Sequence, residues 1–113
     1  MNGPCALTKP IIDAVPVPSA SGVYALGSGQ GGDRPRPVEL VGRATVDLRD
    51  KLRGHAQRGE YRYFAFKLTP DRLALFQAEC RLFHAHEDTL LDKTHPQRPM
   101  GTLMTCPKCK VYG

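Results

Sequence analysis

Short apolar runs bounded by Gly or Pro open the patterned part of the chain. "GVYALG" at 22–27 and "VELVG" at 38–42 are rich in Val, Leu and Tyr and read as two strands of a hairpin. The connecting "SGQGGDRPRP" reads as a long flexible loop; its glycines suggest a phosphate cradle, but no Lys-Ser or Lys-Thr and no helix pattern follow directly. From Thr45 the period lengthens. Leu48, Leu52 and Ala56 recur every fourth residue, which predicts a short amphipathic helix with Thr45 as N-cap and Asp47 in its first turn. "YRYFAFKL" at 61–68 alternates Phe64, Phe66 and Leu68 with Tyr61, Tyr63, Ala65 and Lys67, the period of a third strand. A last helix starts at Thr69, Pro70 and Asp71, with Thr69 as N-cap, and carries Leu73, Phe76, Cys80 and Phe83 on one stripe.

The flanks break both periods. Residues 1–20 hold Pro4, Pro10, Pro16 and Pro18, each fixing φ and removing a backbone donor, and so predict an extended N-terminal arm. Beyond His86 the chain turns polar, and residues 88–113 read as an irregular tail that needs an anchor. The expectation is one domain over residues 21–87: an α/β (α+β) fold with a three-stranded antiparallel sheet flanked by helices. At 113 residues there is room for one core.

The formal net charge of +5 is uneven. Between Arg34 and Arg72 stand ten Lys or Arg against five Asp or Glu, the whole excess. Clustered positive charge attracts phosphate-rich partners, although a solvated basic face has the same composition. No run approaches the ~18 apolar residues of a membrane span, and the proline-broken N-terminus does not read as a secretory signal. A cytoplasmic protein is expected. In a reducing compartment the pair Cys106 and Cys109, spaced C-P-K-C, suits a metal or a redox pair better than a structural disulfide.

Strand, loop, strand, helix, strand, helix, with a tyrosine on the first strand and a glycine closing the second, resembles the GIY-YIG nuclease family. "GVY" (22–24) matches the first tripeptide, "LVG" (40–42) stands where the second would be, and "RATVDLRDKLRGH" follows as the helix. The resemblance covers about residues 21–87. It implies a metal-dependent endonuclease that hydrolyses phosphodiesters in nucleic acid, DNA foremost, with a single Mg²⁺ or Mn²⁺. By resemblance, Glu79 in the last helix binds that metal, and a carboxylate is a hard ligand suited to it. Tyr24 would face the metal from the opening strand and orient or deprotonate the attacking water. A phenol of ordinary pKa ~10 needs adjacent positive charge for that second role. Arg43 takes a position the family often gives to lysine, and Lys51, or Arg49 if the helix is rotated, aligns with its phosphate-clamping arginine. Arg43, Arg49, Lys51 and Arg53 are the expected nucleic-acid contacts.

The sequence departs from that pattern at three places, the first being Lys51 where the family has an arginine, which supplies charge but not a planar fork. Leu40 replaces the tyrosine of the second tripeptide, and no asparagine follows Asn2 to serve as a helper amide. His55 and Tyr63 are the candidates to replace the lost hydroxyl. A binding module without activity on the same scaffold, or a zinc-stapled interaction domain, fits the same composition. For the tail, Cys106 and Cys109 supply half a tetrahedral zinc site. Cys80, His84, His86 and His95 could complete it, with His84 and His95 preferred because Cys80 falls in the apolar stripe.

Overall fold

In the computed structural model, residues 1–14, 17–99 and 104–108 are described. The strands are β1 (Asn2–Ala6), β2 (Gly22–Gly27), β3 (Gln30–Gly31), β4 (Arg34–Pro35), β5 (Val38–Ala44) and β6 (Tyr63–Leu68), and the helices α1 (Lys9–Ala14), α2 (Leu48–Arg58) and α3 (Arg72–Ala85). The main sheet is antiparallel with order β1-β6-β2-β5, and β3 and β4 form a separate two-stranded ribbon. The class is α+β. Two expectations change: the sheet has four strands instead of three, and the supposed flexible loop carries the ribbon, closed by Arg36 N–H on Gly29 O at 2.9 Å.

The fourth strand comes from the arm. β1 pairs with β6 on the outer edge, where Pro4 costs no ladder bond, and α1 then lies beside α2. Ile12 and Val17 are fully buried and Leu7 nearly so, enough apolar surface to fix a segment that its prolines predicted to run extended across the surface. Arg49 Nε donates to Val17 O at 2.8 Å and Arg53 pairs with Asp13, so the outer side of α2 is tied to this arm.

Both long helices start later than predicted. Asp47, not Thr45, caps α2 by accepting from Asp50 N–H, while Leu48 N–H is already taken by Ala20 O. Gly59 ends it in the left-handed conformation at φ 68, where a side chain would be strained. Asp71, not Thr69, caps α3; Thr69 is buried and exchanges bonds with Ser21 instead. The apolar stripe of α3 is consequently Leu75, Phe76, Cys80 and Phe83, and Leu73 stays exposed.

The sheet separates two cores. Tyr24, Leu26, Ala44, Phe64 and Phe66 face α2, whose Leu48 and Leu52 are fully buried. On the opposite face, Ala25 and Val38 pack with Phe83 of α3 and with Leu90. Leu90 also answers the question of the tail's anchor: Thr89 Oγ1 donates to Val38 O and Leu91 N–H to Glu39 O, so residues 89–91 run along β5. Among the described residues, no helix is long and apolar enough to cross a membrane.

Candidate functional site at the β5 edge

Antiparallel register determines which side chains can meet. Tyr24 pairs with Gly42 and Val23 with Arg43, and paired residues share a face. Tyr24 therefore stands on the α2 side and Arg43 on the α3 side. This corrects the expectation that Tyr24 and Glu79 rise from one face of the sheet. Glu79 pairs with Arg43 on the α3 side and is not among the residues lining the cleft that holds Tyr24, which lies over β5 at the residue that has no side chain. A Cβ on Gly42 would fall 2.4 Å from the Tyr24 hydroxyl and 2.5 Å from its ring, so only glycine allows the phenol to lie over the strand there.

On the α2 side, Tyr24 Oη and His55 Nε2 are 3.0 Å apart. His55 Nδ1 lies 3.2 Å from Arg58 Nη1. A guanidinium only donates, so Nδ1 is the acceptor and the proton of the neutral ring is assigned to Nε2, which donates to the phenol oxygen. The phenol's own proton is then available to a group in the cleft. That cleft, of about 930 Å³, is lined by Tyr24, Leu40, Lys51, His55 and Arg58 together with the acids Asp47, Asp50, Glu60 and Asp92.

Titration follows from burial. Tyr24 is pushed up to about 12, first by desolvation and then by the negative charge of Glu79, with Arg58 pulling the other way. The expectation of a phenol lowered by positive charge is thus reversed, and at neutral pH Tyr24 is a hydrogen-bond donor. His55 is held below its ordinary value by desolvation and by the charges of Arg58 and Lys51, which keeps it neutral.

On the α3 side, Arg43 Nη1 donates to Glu79 Oε1 at 3.0 Å, its Nη2 to Gln97 O, and its guanidinium lies 5.5 Å from the Phe76 ring centre. Both partners of the ion pair are largely buried, with 18% and 13% of their side chains exposed. Desolvation raises the Glu79 pKa, while Arg43, His95 and Lys51 oppose the rise. No bond from a described residue occupies Glu79 Oε2, so one oxygen is open to a cation. A Mg²⁺ held by one carboxylate, waters and substrate phosphates is compatible with that.

The other predicted residues divide. Arg49 and Arg53 are engaged by the arm, away from this edge. Tyr63 stands on the face opposite Tyr24, so of the two candidates for the lost hydroxyl only His55 reaches it. Leu40 lines the cleft as an apolar wall. His86 lies 3.1 Å from Arg34 and is not part of the cluster that gathers around Cys106. Ligand atoms of Cys80, His95 and Cys106 fall within 4.8 Å of one another, a set that could hold a metal such as zinc, and His84 Nε2 is 3.3 Å from His95 Nε2. The preference for His84 over Cys80 is therefore not what this clustering supports; Cys80 is fully buried, but against Cys106. Cys109 lies outside the described residues. Comparison with protein-family models, with curated proteins and with solved structures yields no match for this chain.

Proposed function

We propose that this chain is a GIY-YIG-type domain that binds nucleic acid, DNA foremost, and hydrolyses its phosphodiesters with a divalent cation. The observation that supports this most is the hydrogen bond between Tyr24 and His55 in a cleft that Lys51 and Arg58 line, with the Glu79 carboxylate acting on the same phenol. In this reading the Tyr24 hydroxyl, held from behind by His55 N–H, donates into the cleft to a phosphate oxygen or to the attacking water. Lys51 and Arg58 are the cations that a phosphate would meet in a cleft that Asp47, Asp50, Glu60 and Asp92 also line, and Arg43 keeps the Glu79 carboxylate in place with one oxygen unoccupied. A divalent ion on Glu79 would supply charge for the scissile phosphate and the leaving oxygen.

A second reading has its own observations. Leu40 supplies no hydroxyl, and a phenol pushed up to about 12 is no base at neutral pH, as in a domain that holds nucleic acid without cutting it. Labelled single- and double-stranded DNA and RNA, incubated with Mg²⁺ or with chelator, separate the two. The hydrolase reading expects metal-dependent cleavage, lost in Glu79→Ala and reduced by roughly a hundredfold or more in Tyr24→Phe. Salt-sensitive retention with no cleavage under any metal supports the binding module. Neither binding nor cleavage would end both.

A further inference from the structure

We infer that Cys80, His95 and Cys106 bind a zinc ion that fastens the C-terminal tail onto α3, independently of any cation at Glu79. Cys80 and Cys106 come from segments 26 residues apart in the chain, and both are essentially sealed from solvent at 0% and 1% exposure. They form their own small core with Phe76, bordered by Met104. Thiols alone pack there as small hydrophobes, but an imidazole within ligand distance of both makes a donor set of the kind zinc selects.

The hydrogen bonds around His95 prepare it for a metal. Its Nδ1 lies 2.7 Å from the carbonyl oxygen of Pro96, which can only accept, so Nδ1 carries the proton and Nε2 the lone pair. Zinc-binding histidines are oriented in this way, by giving the other ring N–H to a carbonyl or carboxylate. His84 is prepared likewise: its Nδ1 is 2.6 Å from Glu87 Oε1, which places a lone pair on its Nε2 as well. The two Nε2 atoms stand 3.3 Å apart. Two acceptors at that distance require a proton or a metal ion between or beside them, and the adjacent thiols favour the metal. Charge also balances when a histidine completes the site: two thiolates neutralise one Zn²⁺, so that loaded site puts no net charge into an apolar core.

The fourth donor has two sources, His84 one turn beyond Cys80 and Cys109 in C-P-K-C. Zinc measured by mass spectrometry on full-length protein purified without chelator should be about one ion per chain, and unchanged in Cys5→Ser. It should be lost in Cys106→Ser and in His95→Ala. Cobalt added to the wild-type apoprotein, which needs no variant to fold, should produce thiolate charge-transfer and tetrahedral d–d bands. At least a tenfold loss of zinc affinity in either His84→Ala or Cys109→Ser supports a closed, four-ligand structural site; full retention in both overturns that character. Zinc at background in the wild type with no cobalt spectrum, or zinc retained in the double variant Cys80→Ser/Cys106→Ser, overturns the site altogether.

Discussion

The two faces of the sheet are built from similar apolar residues and carry opposite chemistry. Under α2, a large core closes around Phe64, Leu26, Leu48 and Leu52, and its rim holds a neutral pair, a phenol and an imidazole joined by one hydrogen bond. Under α3 the apolar cluster is smaller and passes into charges and soft ligands: the Arg43–Glu79 pair, then Cys80, His95 and Cys106. The lesson lies in what divides them. A single glycine on the end strand leaves the room in which the phenol of one face lies over the strand.

If the α2 face is the main core, its truncation is the most damaging change. Phe64→Ala should cost about 3–5 kcal/mol in urea unfolding, whereas Leu90→Ala in the smaller cluster should cost about 2–3. Equal losses would remove the distinction between the faces. Gly42→Ala comes next, at about 1–3 kcal/mol, because the added methyl meets a buried ring that cannot swing away. It should also break the Tyr24–His55 bond, which the His55 proton resonances would report. An unshifted spectrum would contradict the placement of the phenol.

The faces should also differ in their response to pH. His55 is neutral in the fold and lowered from 6.5, so the unfolded chain takes up protons first on acidification. Its contribution is therefore lost as pH falls below about 6.5. His86, beside Arg34 and Arg36, is lowered in the same direction, so His55→Gln and His86→Gln should each flatten part of that loss. Glu79 acts in the opposite sense. Its pKa is raised above 4.5, the folded state prefers the protonated acid, and its contribution declines as pH rises from 4.5 through the folded value. Stability curves of Glu79→Gln against wild type check that sign. The smallest effect belongs to the exposed Arg53–Asp13 pair: Asp13→Asn should leave the urea midpoint unchanged at high salt.

Periodicity located the elements that depend on local pattern, and it missed what depends on distant partners. Strands β2 and β5 follow from short apolar runs bounded by Gly or Pro, β6 from alternation, and the long helices from four-residue spacing and helix-start residues. The exact caps did not, because Thr45 and Thr69 compete with Asp47 and Asp71 two residues later, and distant Ser21 claims Thr69. The arm's prolines argued against secondary structure, yet an edge strand tolerates Pro4, and Ile12 and Val17 bury completely. At the site, Tyr24, Gly42 and Glu79 were visible as a pattern and His55 as a substitute. The opposite orientation of Tyr24 and Arg43 was also implicit, since adjacent residues of paired strands alternate faces. The Tyr24 titration was not legible, because burial outweighs nearby Arg58 and burial is known only from the fold. Cys80 read as a core residue and is one; what the stripe could not reveal is that the tail brings Cys106 and His95 to it.

The central claim is that Tyr24, His55 and Glu79 serve one cation-binding edge from two sides of the sheet. Paramagnetic Mn²⁺, added in substoichiometric amounts to the zinc-loaded protein, tests it by NMR. Selective broadening of the Tyr24 ring and His55 resonances, abolished in Glu79→Gln, is the predicted result. Broadening that spares both residues, or that persists unchanged in Glu79→Gln, would contradict it.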